Sequence, residues 1–272
     1  MEAQTMSWAM NNTQGALIGT GLAKTYHVKD QPPVEVLKDC SFEFEPAMLN
    51  VVMGTSGCGK STLANILAGY VRADEGSLMI DGQPITDSGS DRLMVFQETA
   101  LWPWMTVEDN VIFGPLSRGE SRKQAVEASS DLLERFGLGD FKDKYPGQLS
   151  GGMMRRVELA QALVNSPKVM ILDEPFRGLD VMTRELMQEY YLKLFEDTHL
   201  STVFITAELE EALFLADRIY VMSDAPGRIV KIIDVDLPRP REISCTATKR
   251  YAELEQEALA ALYTGQSEEA LT

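Results

Sequence analysis

The run Gly54-Thr55-Ser56-Gly57-Cys58-Gly59-Lys60-Ser61-Thr62 constrains this chain more than any other stretch. It fits G-x-x-x-x-G-K-[ST], the pattern of a phosphate-binding loop. The apolar run Leu49–Met53 before it reads as a buried strand, and Leu63-Ala64-Asn65-Ile66-Leu67-Ala68 after it reads as a helix. Strand, loop and helix in that order are the context the motif requires. Gly54, Gly57 and Gly59 let the backbone turn so that successive N–H groups point at one anion, and the helix that starts there adds its positive end. Lys60 offers a cation to β- and γ-phosphates, and the Ser61 hydroxyl offers a ligand to Mg²⁺.

A second apolar run, Val169-Met170-Ile171-Leu172, ends in Asp173-Glu174. Two adjacent carboxylates at a buried strand's end suit one group that organises Mg²⁺ and one general base, or they cap the next turn. Between the two runs lies far more chain than one crossover needs. Residues 106–145 look helical, and 121–136 carry Ala125, Val126, Leu132, Leu133 and Phe136 at helical spacing with Gly137 as a stop. This block reads as an inserted helical subdomain. Leu149-Ser150-Gly151-Gly152 opens a further helical pattern, either as a second phosphate-binding corner or as a capped helix start.

The remaining stretches flank these. Residues 16–44 read as strands, and Tyr26 precedes a polar loop; its ring is placed to stack on a base or to sit half-buried in a strand. Asp81-Gly82 signals a hairpin turn. Residues 92–97 form a short strand ending in Gln97, whose amide can reach Mg²⁺ or an attacking water, or cap a turn. Leu101-Trp102-Pro103-Trp104-Met105 either fills a small core or forms a docking surface. Gly178-Leu179-Asp180 turns into a helix, 201–206 is another buried strand, 208–216 a helix, and 218–223 with 227–234 a hairpin. Past Pro238-Arg239-Pro240 the composition changes, and 251–262 reads as a terminal helix.

The chain has 272 residues and a formal net charge of -16. Such an acidic balance opposes unaided binding to nucleic acid or anionic lipid. The three cysteines, Cys40, Cys58 and Cys245, have no paired metal spacing and suit a reducing cytosol. Cys58 reads as a tolerated small residue of the loop. Residues 1–15 are polar, lack an apolar core and predict a flexible N-terminus, not a signal peptide. No apolar run has the length to span a bilayer, so a membrane role requires a partner.

Taken together, the phosphate loop, Gln97, Leu149-Ser150-Gly151-Gly152-Met153, Asp173-Glu174 and Gly178-Leu179-Asp180 resemble, in this order, the ATP-binding subunit of an ABC transporter. The resemblance covers residues 17–237. The run 95–111, with Leu-Trp-Pro-Trp at its centre, is similar to the nitrate, sulfonate and taurine importer subfamily. The implied fold is α/β: a P-loop NTPase of the ABC ATPase type, with a mixed sheet core and an inserted α-helical subdomain at about 98–160. The ATPase domain spans 16–240, and 241–272 is a C-terminal helical extension.

The resemblance also implies roles. Tyr26 stacks on adenine. Residues 54–62 hold the phosphates of ATP, with Lys60 as the phosphate lysine and Ser61 as a Mg²⁺ ligand. Gln97 senses Mg²⁺ and water, Asp173 supports the metal, and Glu174 is the general base. Ser150, Gly151 and Gly152 contact the γ-phosphate of ATP held by the opposite subunit, and Asp180 lies at the dimer seam. Implied partners are transmembrane permease subunits, a second cassette (the same chain or a sister chain) and a solute-binding protein, with no nucleic acid. Trp102 to Met105 would lie near the groove that receives a permease helix. The implied location is the cytoplasmic face of the inner membrane, peripheral through the permease.

One departure stands out. After the strand at 203–206 the family has a histidine that contacts the γ-phosphate; here Ala207 occupies that place, followed by Glu208. The only histidines are His27 and His199. ATP binding is untouched by this, and slow hydrolysis is the expectation. It motivates a regulatory cassette with little turnover as an alternative. A soluble, non-transport ABC ATPase is the other; single-cassette length, no sustained heptads and excess acid count against it.

Overall fold

The computed structural model describes residues 14–267. The expected flexible segment 1–15 therefore falls, except for Gln14 and Gly15, outside the described residues. Gly15 N–H donates to Asp81 Oδ1 at 2.7 Å, and the Gln14 carbonyl accepts from Ser201 Oγ at 2.8 Å.

Two sheets carry the fold. A six-stranded sheet has the order β10-β9-β3-β8-β7-β6, where β3 is Leu49–Met53, β6 Arg92–Val95, β7 Val169–Asp173, β8 Ser201–Thr206, β9 Arg218–Met222 and β10 Ile229–Asp234. All pairs are parallel except β9 with β10. Strands β3, β7 and β8 are buried at every position. A parallel sheet covered on both faces favours such mostly apolar runs, and the buried polar residues here are Asn50, Asp173, Ser201, Thr202 and Thr206. Alternate side chains feed two cores. Met170, Leu172 and Phe204 face the core beneath the helices, while Val169, Ile171, Val203 and Ile205 face the core shared with the second sheet.

The second sheet is antiparallel, in the order β2-β1-β4-β5, with β1 Leu17–Tyr26, β2 Val34–Phe44, β4 Glu75–Ile80 and β5 Gln83–Pro84. Helix α1, Lys60–Ala68, lies between the sheets through Leu63, Ile66 and Leu67.

The helical block is α2 (Val107–Ser117), α3 (Arg122–Arg135) and α4 (Gly151–Leu163), joined by 3-10 turns at Gly139–Phe141 and Pro146–Gln148. Residues 106–145 are thus two helices and a turn. Each helix starts at a capping hydroxyl: Thr106 accepts from Asp109 N–H, Ser121 forms a reciprocal box with Gln124, and Ser150 accepts from Met153 N–H. Phe136 caps α3, and Gly137, at φ 63°, ends it.

Beyond β7 come α5 (Val181–Thr198), α6 (Leu209–Leu215) and the terminal α7 (Lys249–Ser267). Helix α7 packs on α6 and the β9–β10 edge through buried Tyr251, Leu254 and Ala258. Arg241, itself buried, holds the chain before it by donating to the Phe214, Ala216 and Val235 carbonyls.

What positions the site is strand direction. The carboxyl ends of β3, β6, β7 and β8 all open on one edge of the sheet. The phosphate loop, Gln97, Asp173-Glu174 and Ala207 follow those four strands. An open parallel sheet places its ligands at that edge.

Candidate functional site

The loop 54–59 leaves β3 and enters α1 at Lys60. Gly59 makes the turn at φ 103°, and a Cβ there would lie 3.0 Å from the Val36 carbonyl oxygen, so a side chain is excluded by both strain and space. Lys60 is buried and folds back over the loop, donating to the Gly54 and Thr55 carbonyls at 2.9 and 2.8 Å. Its ammonium lies 3.7 Å from Glu174 Oε1. Ser61 Oγ donates to Asp173 Oδ1 at 3.3 Å. Four residues from two separate motifs thus meet across the β3–β8–β7 edge.

Asp173 closes β7. Burial pushes its carboxyl up, against the Ser61 hydrogen bond and the Lys60 charge, which hold it down. Glu174 leaves the strand at φ 43°, a left-handed conformation that costs a non-glycine residue about 1 kcal/mol or more. Its N–H is still bound to the Ile205 carbonyl at 2.9 Å, so β8 fixes the bend. The result aims the carboxylate at Lys60 on one side and at Arg177 Nη1, 2.7 Å from Oε2, on the other.

Cys58 is buried under the loop, where a Cβ on Gly54 would come within 2.7 Å of its sulfur. Burial pushes its thiol up, with the Lys60 charge opposing, so the sulfur is a packing atom, not a nucleophile. Thr55 Oγ1 donates to the Asp224 carboxylate and ties the loop to the β9–β10 turn. Thr62 lies within the first turn of α1, and Ser56 and Gly57 are exposed at the loop's crest.

Tyr26 ends β1 at 37% exposure, with Lys24 Nζ 5.6 Å from its ring centroid. It pairs in register with Val34, two residues from the Val36 carbonyl that abuts Gly59. Its end of the β1–β2 hairpin is therefore beside the phosphate loop. Gln97 follows β6, next to the strand that carries Asp173.

The other predicted residues lie elsewhere. Ser150, Gly151 and Gly152 start α4 against the 178–183 segment: Cβ atoms on the two glycines would lie 3.1 Å from Leu179 Cδ2 and 3.0 Å from Thr183 Cγ2. Asp180 caps α5 through Thr183 N–H at 3.0 Å and the Thr183 hydroxyl at 2.7 Å. Among the described residues no hydrogen bond joins Ser150, Gly151, Gly152 or Asp180 to loop 54–62. Ala207 lines a cleft of about 150 Å³ with Ser56, Glu174, Arg177, Arg184 and Glu208. His199 caps α5 before β8, at the opposite end of that strand from Ala207, and His27 is exposed in the β1–β2 loop.

The aromatic loop divides. Trp102 tilts against Phe113 with centroids 4.1 Å apart, while Trp104 is 70% exposed. Buried Asn110 holds this turn: it accepts from Trp102 N–H at 2.8 Å and donates to the Trp102, Met105 and Thr106 carbonyls.

Sequence reasoning missed two contacts. One is Arg177 on Glu174. The other is the buried pair Arg155–Glu158 on α4, 2.7 Å apart. Arg155 donates to the Phe96 carbonyl at 2.7 Å and to the Gln97 carbonyl, and Glu158 accepts from Thr99 Oγ1 at 2.9 Å and Ala100 N–H at 2.7 Å. The helix that begins at Ser150 therefore grips the loop that carries Gln97. No local signal marked the pair, because α4 also carries Arg156 and Gln161.

A curled loop at a helix start, with a cation and two acids facing it from neighbouring parallel strands, is the construction of a P-loop nucleoside triphosphatase. The profile of the ABC transporter family matches residues 37–177. The taurine import ATP-binding protein TauB of Ruegeria pomeroyi is 46% identical over 73% of this chain and 74% of its own length. The nitrate import ATP-binding protein NrtD of Synechocystis sp. is 42% identical over 77% of this chain and 79% of its own. A dimeric ATP-binding cassette in a post-hydrolysis state, bound to ADP and Pi, superposes with a TM-score of 0.71 at 26% identity, covering 80% of this chain and 98% of that one. The chain belongs to the ABC transporter family. Its fold is the α/β P-loop fold of an ABC ATPase, with a mixed sheet core.

Proposed function

We propose that this chain binds Mg·ATP at the sheet edge described above, hydrolyses it, and so energises import of a small solute of the nitrate, sulfonate or taurine class. The observation that carries the hydrolytic part is the meeting of Lys60 and Ser61 with Glu174 and Asp173, at 3.7 and 3.3 Å. The import part rests on relatives named for taurine and nitrate import.

In this reading loop 54–62 wraps the phosphates, Lys60 neutralises the β- and γ-oxygens, and Tyr26 stacks on the base. Ser61 and Asp173, with Gln97, would hold Mg²⁺; no cluster of three or more His, Cys, Asp or Glu that could hold a metal exists among the described residues. A site of few protein ligands suits Mg²⁺, which keeps waters and substrate oxygens in its shell. The ion supplies charge neutralisation. Glu174 accepts the proton of the attacking water. Ser150, Gly151, Gly152 and Asp180, remote from this chain's own loop, serve a second cassette.

The membrane side of the proposal needs permease subunits, because no helix among the described residues is long and apolar enough to cross a bilayer. We assign the chain to the cytoplasmic face of the inner membrane, beside permeases and a solute-binding protein. Exposed Trp104, at the tip of the turn held by Asn110, is the candidate contact. The test is isolation of the chain from a membrane extract. The wild-type chain should bring down integral membrane subunits, and Trp104→Ala should remain folded and lose them. Recovery of those subunits with Trp104→Ala at the wild-type level would move the contact elsewhere. The regulatory alternative rests on Ala207 alone, and the chemistry beside Ala207 bears on it directly.

A further inference from the structure

Glu174 stands between two cations. Lys60 approaches Oε1 from the buried side, and Arg177 Nη1 donates to Oε2 at 2.7 Å from the open side. The Arg177 backbone N–H also donates to the Glu174 carbonyl at 3.1 Å, so one turn of chain sets both contacts. The Glu174 side chain is 12% exposed and that of Arg177 is 60% exposed. A pair this open contributes little to stability. Its placement is the informative part.

The two residues share their cleft with Ser56 of the phosphate loop and with Ala207. Three carboxylates line it, Glu174, Glu208 and Glu211, against the guanidiniums of Arg177 and Arg184. Burial pushes the Glu211 carboxyl up, and Arg184 is committed in part to the Leu179 carbonyl at 3.4 Å. A terminal phosphate arriving beside Ser56 adds more negative charge. The methyl of Ala207 donates nothing, and Glu208 repels. Arg177 has Glu174 as its one ion-pair partner among the described residues. A guanidinium carries five donors in a planar fork, enough to hold a carboxylate with one arm and phosphate oxygens with the other.

We propose that Arg177 positions Glu174 and binds the terminal phosphate, supplying the donor that alanine at position 207 leaves out. This rests on the ATPase reading above. In the step itself, water oxygen attacks the γ-phosphorus and its proton passes to the Glu174 carboxylate. The bond from γ-phosphorus to the bridging oxygen breaks, and its electron pair leaves on ADP. Arg177 keeps the carboxylate aimed and offsets charge on the γ-phosphoryl oxygens as that bond opens. The chain then hydrolyses ATP without an imidazole at position 207.

The experiment compares ATP turnover and ATP binding for the purified full chain and for Arg177→Ala, Arg177→Lys, Ala207→His and the double variant Arg177→Ala/Ala207→His. Ala207→His should bind ATP within about threefold of the wild type, and the Arg177 variants should bind within about tenfold, because Lys60 and the loop are intact while one phosphate contact is lost. Arg177→Ala should lose about a hundredfold in turnover, the cost of one preorganised donor. Arg177→Lys should fall between, since a point charge lacks the fork. Ala207→His should change the wild-type rate by less than about threefold, yet raise that of Arg177→Ala by about tenfold or more. A purely structural role for Arg177 predicts no rescue by an imidazole at position 207, in the separate segment that follows β8. Arg177→Ala at the wild-type rate, or failure of Ala207→His to restore it, overturns the proposal alone. A wild-type chain that binds ATP and never turns it over overturns the ATPase reading, and this proposal with it.

Discussion

The carboxyl edge of the six-stranded sheet and the helical block use polar groups in opposite ways. At the edge they converge beside open space: Lys60 donates to two loop carbonyls and lies 3.7 Å from Glu174, Arg177 is 2.7 Å from Glu174, Ser61 is 3.3 Å from Asp173, and a cleft of about 150 Å³ opens beside them. In the helical block they are spent. Asn110 makes four hydrogen bonds around one turn, and Arg155–Glu158 is packed at 2.7 Å against the loop at 96–100. Charges that converge on an open cleft are within reach of a ligand that enters it. Satisfied, buried ones fix a single arrangement of the chain. The first region faces open space, and the second fixes shape.

Mutations separate the two. The largest effect should come from Lys60→Ala, which removes the cation of the phosphate loop; isothermal titration should then detect no ATP binding, while the circular dichroism spectrum stays that of the wild type. Next is Arg155→Met. It strands Glu158, whose carboxyl burial already pushes up, and should cost about 3–5 kcal/mol in denaturant unfolding. The double variant Arg155→Met/Glu158→Gln should recover part of that loss, since no unpaired charge remains buried. Equal losses in single and double variants would mean that the pair's contacts to the loop, not its charges, hold the block. The smallest effect should be Ser121→Ala. It breaks the box with Gln124 and should cost about 1 kcal/mol with no change in ATP turnover.

The same contrast decides what could be read from sequence. Leu49–Met53 and Val169–Asp173 announce themselves because parallel strands buried on both faces are rich in apolar residues, with only Asn50 breaking the first and Asp173 ending the second. The residues at their ends are local in sequence to that signal, so the phosphate loop and the acid pair were legible. Helix α3 was legible too, through Ser121 at its start and Gly137 past its end. Arg155 and Glu158 were not, because charges on a helix ordinarily mark a solvated face, and their partners sit 58 and 59 residues away. Arg177 escaped for a different reason. Its meaning depends on the left-handed bend at Glu174, which swings the carboxylate back over the following turn, and on the cleft shared with Ala207, a feature of four separate segments. Helix α7 was expected from residue 251 and begins at Lys249, where Thr248 accepts from Tyr251 N–H.

The central claim is that Glu174, bent out of β7 between two cations, activates the water that attacks ATP. Its most direct measurement is ATP turnover by Glu174→Gln beside its ATP affinity and oligomeric state. The amide keeps the shape and loses the proton acceptor. Turnover should fall by about a hundredfold or more, with ATP binding retained and an ATP-bound dimer accumulating. Hydrolysis by Glu174→Gln at the wild-type rate would contradict the account and give the role of base to another residue.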